Sequence, residues 1–183
     1  MTTSAALLER KHDRCFGHID VNGNGFVESD DVVALATRLL DAFNEPADGE
    51  KGRTIIDAFH DFWEALISAI DLDSDRRIAP SEWRAGMVGA FVEAEGGFEA
   101  ALRPAVHAMM NLADTTGDGV VGPEEFRVLQ AALGTTAEAA DAGFAAMDTD
   151  GSGTLTVDEL VEASRQYYTS SDEGAGNRLF GPI

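Results

Sequence analysis

A twelve-residue pattern of oxygen-bearing side chains recurs along this chain, and few folds can accommodate it. Three copies, 20–31 (DVNGNGFVESDD), 114–125 (DTTGDGVVGPEE) and 148–159 (DTDGSGTLTVDE), carry such residues at positions 1, 3, 5 and 12, with glycine at position 6. A fourth, 71–82 (DLDSDRRIAPSE), keeps the oxygens but has Arg76 where the glycine belongs. Carboxylates, amides and hydroxyls at that spacing, bent round a glycine, can converge on one point from a single short loop. A hard cation such as Ca2+ needs that arrangement. One such match alone would read as an acidic turn between helices, but the repetition rules out coincidence.

The windows begin at 20, 71, 114 and 148, separations of 51, 43 and 34 residues, so the chain is an internal repeat with insertions in its first half. Apolar residues at helical spacing precede each window: Cys15, Phe16 and Ile19; Trp63, Leu66, Ile67 and Ile70; Met109, Met110 and Ala113; Phe144 and Met147. The pattern resumes after each window, with Val32, Leu35 and Leu39; Trp83, Met87 and Ala90; Phe126, Leu129 and Leu133; Leu160, Ala163 and Tyr167. Steps of three and four put each set on one helical face, which predicts eight principal helices. Pro80 and Pro123 stand at position 10, where a helix can start without needing an N–H, and Thr156 with Glu159 forms a capping box. Position 8 is Val27, Ile78, Val121 or Leu155, which predicts short antiparallel β-pairing, two or three residues long, between neighbouring loops. The connections read as a turn over 44–52 before a long helix from Thr54, a bend over 93–97 with a helical turn over 98–103, and a flexible linker over 170–177. The chain ends on Leu179, Phe180, Gly181, Pro182 and Ile183, apolar residues that predict a tail packed back on the core.

The four loops are not equivalent. In 148–159, Asp148, Asp150 and Ser152 offer side-chain oxygens, Thr154 its carbonyl, and Glu159 a bidentate carboxylate, making this the strongest site. In 114–125 the set is Asp114, Thr116, Asp118, the Val120 carbonyl and Glu125, with less charge because Thr116 is neutral. In 20–31 it is Asp20, Asn22, Asn24, the Phe26 carbonyl and Asp31, which is one methylene shorter than glutamate. The short closing residue narrows the preference for Ca2+ over Mg2+. The window 71–82 keeps Asp71, Asp73, Asp75 and Glu82, but a non-glycine residue at positive φ costs roughly 1–2 kcal/mol, so Arg76 predicts a degenerate loop. About three Ca2+ ions are therefore expected, with Mg2+ as the competitor, chiefly at the first loop.

Charge and cysteine content narrow the partners. The formal charge of −20 argues against nucleic acid and anionic membrane, since no basic patch is present. Each window holds four acids, sixteen of the 33 in the chain, so bound cations would relieve much of the self-repulsion. Cys15 is the only cysteine and reads as a small core residue. With no secretory or membrane-spanning stretch, the reading is a cytoplasmic monomer with no protein target specified. His12, His18, His60 and His107 are isolated, and no nucleophile motif or phosphate-cradling loop occurs, so the chain does not read as an enzyme.

These loops and their flanking helices resemble the EF-hand superfamily. Four units, a helix-rich insertion between the first two, a defective second loop and a short third-to-fourth spacing are similar to calerythrin and the sarcoplasmic calcium-binding proteins. The resemblance implies an all-α fold of four EF-hand helix-loop-helix units, in two pairs packed into one compact globule. The pairs would span 1–97 and 98–169, with 170–183 as the tail. It also implies a Ca2+ buffer or transporter working through loops 1, 3 and 4. The alternative is a Ca2+ sensor that exposes a hydrophobic groove to a target.

Overall fold

The computed structural model describes residues 3–89, 102–170 and 174–180. Among these, eight α-helices occur in chain order: α1 (Thr3–Ile19), α2 (Ser29–Phe43), α3 (Glu50–Ile70), α4 (Pro80–Met87), α5 (Arg103–Ala113), α6 (Pro123–Ala132), α7 (Ala137–Met147) and α8 (Val157–Thr169). A 3-10 turn follows at Ala175–Arg178. Helices α1, α3, α5 and α7 each end one residue before a twelve-residue window, and α2, α4, α6 and α8 each begin at position 10. Pro80 and Pro123 occupy those first helical positions, and the Thr156 hydroxyl accepts the Glu159 N–H at 3.2 Å. The helix boundaries thus follow from the spacing of breakers and caps in the sequence.

One apolar core runs through the molecule. Helix α3 packs on both α2 and α5, α1 on α4 and α8, α2 on α6, and α5 on α8. The breadth of the α3 apolar face fits packing against α2, α4 and α5, and Ile55, Phe59, Phe62, Trp63, Leu66 and Ile70 are buried along it. Gly86 in α4 sits so close to α3 that a Cβ there would lie 2.1 Å from the Ile70 Cγ2. Cys15, Met87, Met110 and Met147 are buried, as core residues rather than surface ones.

The expected β-pairing is corrected. No β-strand forms among the described residues; each loop pair meets only through an isolated antiparallel bridge, Val27 with Ile78 and Val121 with Leu155. Each bridge is a reciprocal pair of hydrogen bonds at 2.8–3.0 Å, and the chain turns away into metal-loop geometry on one side and helix on the other. That leaves a single residue per loop in extended register, too few for a strand.

Two connections also differ from expectation. Helix α3 starts at Glu50 rather than Thr54, because Gly52 lets its first turn lie against the Pro46 carbonyl, 2.1 Å from where a Cβ would be. Within the linker expected over 170–177, of which 171–173 lie outside the described residues, a 3-10 turn forms at Ala175–Arg178, held as Gly176 approaches the α8 backbone at the Ala163 carbonyl. The bend over 93–97, most of the turn over 98–103 and residues 181–183 lie outside the described residues. Leu179 and Phe180 are buried, the Phe180 ring standing edge-on to His18 and to Tyr167 at 5.1 Å from each.

Candidate metal centre

Each loop is organised by its first and last carboxylates. The position 1 aspartate accepts the position 6 N–H in all four: Gly25 to Asp20 at 3.0 Å, Arg76 to Asp71 at 3.0 Å, Gly119 to Asp114 at 2.9 Å and Gly153 to Asp148 at 3.0 Å. The position 12 carboxylate ties the start of the loop to the start of the exit helix. Glu82 accepts the Leu72 and Ala79 N–H groups, Glu125 those of Thr115 and Gly122, and Glu159 those of Thr149 and Thr156. These are the N–H groups of positions 2 and 9, so one side chain closes each ring.

Loop 1 closes differently. Asp31 accepts from Glu28 at position 9 but, being shorter, reaches the N–H of Asn22 at position 3 rather than that of position 2. Its side chain is drawn inward and only 1% exposed. Asn24 spans the rim, donating its amide to Glu28 at 2.7 Å.

Loop 2 is stretched over two unfavourable residues. Arg76 at position 6 has φ 61° and Ser74 at position 4 has φ 62°, where the other loops place Gly23, Gly117 and Gly151 at position 4. A left-handed conformation costs a side-chain-bearing residue roughly 1–2 kcal/mol, so the loop carries that cost twice. Arg76 breaks the glycine of position 6, and Ser74 breaks a second glycine position, which carries no ligand but is legible from Gly23, Gly117 and Gly151 in the other windows. Arg77 adds a second obstacle. Its guanidinium holds Asp75 Oδ2 at 2.8 and 3.1 Å and lies 4.6 Å from the centre of the Phe26 ring in loop 1. The Arg77 side chain holds the Asp75 carboxyl below its usual range. Arg76 itself turns out to Glu64 at 2.7 Å.

Among the described residues, two groups of three carboxylates bring ligand oxygens within 4.8 Å of one another: Asp148, Asp150 and Glu159 in loop 4, and Asp71, Asp73 and Glu82 in loop 2. In loop 4 the Ser152 hydroxyl donates to the Thr154 carbonyl at 3.0 Å, so the oxygens of positions 5 and 7 also adjoin the cluster. Loops 1 and 3 have neutral side chains, Asn22 and Thr116, at position 3. In loop 3, Asp114 gathers N–H donors from Gly117 and Gly119 at 2.6 and 2.9 Å. Desolvation pushes the Asp114 carboxyl up, but the Gly119 and Gly117 N–H groups and the Thr116 hydroxyl outweigh it, and the net shift is downward. Glu125 and Glu159 behave alike: desolvation raises them, and donors from Thr115 and Gly122, or from Thr156 and Thr149, bring them below the ordinary value. Asp150 is lowered by the Ser152 N–H and hydroxyl. These rims keep their carboxylates ionised, as a divalent cation requires.

The EF hand family model matches residues 106–130 and 140–163, which span loops 3 and 4. Calerythrin of Saccharopolyspora erythraea is 31% identical over 172 residues, an alignment covering 92% of this chain and 94% of calerythrin. The chain belongs to the EF-hand superfamily. Within it, the chain is calerythrin- and sarcoplasmic calcium-binding protein-like: sarcoplasmic calcium-binding protein 1 of Astacus leptodactylus is 27% identical over 176 residues, 90% of either chain. A solved calcium-binding protein of Streptomyces coelicolor superposes with a TM-score of 0.82 at 30% identity, covering 91% of this chain and 99% of that one. As an EF-hand protein of this group, the chain binds calcium and is not an enzyme. No helix among the described residues is long and apolar enough to cross a membrane.

Proposed function

We propose that this EF-hand protein is a Ca2+ buffer or transporter that works through loops 1, 3 and 4. Asp20, Asn22, Asn24, Phe26 and Asp31 would hold one ion, Asp114, Thr116, Asp118, Val120 and Glu125 a second, and Asp148, Asp150, Ser152, Thr154 and Glu159 a third. The observation that carries this reading is glycine at position 6, held at positive φ with its N–H on the position 1 aspartate, in these three loops alone. Loop 2 would bind weakly, because its strain and the Arg77–Asp75 pair both act against the ion. The burial of Leu179 and Phe180, the Phe180 ring edge-on to His18 and Tyr167, supports a buffer, since an apolar surface filled by the chain's own tail is withheld from targets. Calorimetric titration with Ca2+, with and without Mg2+, tests the assignment. Three strong sites with Mg2+ competition chiefly at one are expected, and four equal sites would overturn the degenerate loop 2.

The second reading is a sensor. The Streptomyces coelicolor relative is described in terms of prokaryotic calcium-mediated regulation, which favours asking whether this chain also signals. A sensor gains Ca2+-dependent retention on a phenyl matrix, whereas the proposed buffer loses it.

A further inference from the structure

Lys51 stands in the first turn of α3, yet its half-buried ammonium donates to the Asp114 carbonyl, 63 residues away, at 2.6 Å. Asp114 is at once the C-cap of α5 and position 1 of loop 3. Its N–H donates to the Met110 carbonyl at 2.8 Å, and its carboxylate takes the Gly117 and Gly119 N–H groups. One residue is therefore held by α5, by its own loop and by a helix from the first half of the chain. Among the described residues no side chain donates to the matching carbonyls of Asp20, Asp71 or Asp148.

Lys51 also differs from the arginines that stand near the loops. Those are paired with carboxylates: Arg76 with Glu64, Arg77 with Asp75, and Arg103 with Asp158. Lys51 faces a neutral carbonyl, and no carboxylate among the described residues lies within ion-pair distance of it. Its charge therefore reaches loop 3 without a compensating partner.

The bond and the charge act differently on an ion. A cation on the last carbonyls of a helix stabilises that helix whether or not the loop beyond it is filled, so the bond cancels in the binding equilibrium. The charge does not cancel, because it repels a divalent cation only once the cation has entered the loop. Affinity in loops of this kind is tuned by charge, so one uncompensated ammonium at the entry is enough to shift it.

We propose that Lys51 sets the Ca2+ affinity of loop 3, its bond holding the entry of the loop in place while its charge lowers the affinity. This rests on the reading of loop 3 as an ion site.

Ca2+ titrations of the full chain, followed through the amide resonances of Gly119 and Gly153, read loops 3 and 4 separately. At about 0.1 M salt, where charges act over about 10 Å, Lys51→Met and Lys51→Gln should each tighten loop 3 by about threefold or more, with a smaller change at loop 4. At about 1 M salt, where that distance falls to about 3 Å, the gain should disappear. Lys51→Gln retains a donor for the carbonyl, so the result does not depend on whether Lys51→Met folds well. Lys51→Arg keeps the charge and should not tighten loop 3. Arg53 is the matched control: it lies in the same turn, and its guanidinium donates to the Asp48 carbonyl, away from loop 3. Arg53→Met removes one charge and should change loop 3 by less than about twofold at 0.1 M salt. Unchanged or weaker binding at loop 3 in the neutral Lys51 variants, a gain that survives about 1 M salt, or an equal gain in Arg53→Met would overturn the role of Lys51. A Gly119 resonance that stays in place at saturating Ca2+ in the unaltered protein overturns loop 3 as an ion site instead, and the inference falls with it.

Discussion

The Val27 N–H donates to the Ile78 carbonyl at 3.0 Å, and the Ile78 N–H returns the bond to Val27 at 2.9 Å. This one bridge joins a loop that turns on Gly25 to one that turns on Arg76. Arg76→Gly removes one left-handed side chain, roughly 1–2 kcal/mol, and should tighten Ca2+ at loop 2 by on the order of tenfold. A fourth calorimetric transition is the readout. Ser74→Gly should act in the same direction, since Ser74 also sits at positive φ.

Loop 1 should respond to restoring the missing methylene. Asp31→Glu allows the closing carboxylate to reach position 2, as Glu82, Glu125 and Glu159 do, and should raise the preference for Ca2+ over Mg2+. Competition titrations at fixed Mg2+ give the ratio; a ratio no higher than that of the unaltered chain would show that closure does not set selectivity here.

The docking of Phe180 predicts a large loss on truncation. Its ring meets His18 and Tyr167 edge-on, and Phe180→Ala should cost about 3–5 kcal/mol by thermal or urea unfolding. Dye binding should rise in the same variant. A loss within error of zero would mean that the tail rests on the surface without contributing to the core.

Acidification should weaken the contact between the first helix and the chain's end. Burial holds His12 below its ordinary 6.5 despite its hydrogen bond to the Tyr168 carbonyl, and burial with Arg14 and Arg38 does the same to His18. The unfolded chain therefore binds more protons just below 6.5, so this contribution is complete above that pH and is lost as pH falls toward the folded values. The lowered Asp114, Glu125, Asp150 and Glu159 act in the same sense, but in a window below their ordinary 3.8 to 4.5. NMR titration of the imidazoles should give midpoints under 6.5 for His12 and His18; ordinary midpoints would remove the argument.

Cys15 should be inert in the folded protein. Desolvation pushes its thiol up to about 12, partly offset by the Tyr168 hydroxyl 3.2 Å away, and thiolate is the reactive form. Labelling by a maleimide at neutral pH should follow global unfolding in denaturant rather than precede it.

The twelve-residue windows alone determined the helix-loop-helix repeat, because ligand spacing, position 6 glycine and position 10 proline are local constraints that the backbone cannot evade. They also determined where helices stop and restart, since α1, α3, α5 and α7 end against position 1. Tertiary structure decided what locality could not. Arg77 is seen to stack on Phe26 only when two loops distant in sequence are side by side. The reduction of the expected β-pairing to single bridges has the same origin, because how long two strands run together depends on how their helices leave the loops. Lys11 shows it again: a lone lysine in an amphipathic pattern, it is buried, donates to the Ser170 carbonyl at 2.8 Å and caps the end of α8. Chemistry carried within one loop is written in consecutive residues, whereas strain, pairing and burial belong to neighbours that only the folded chain supplies.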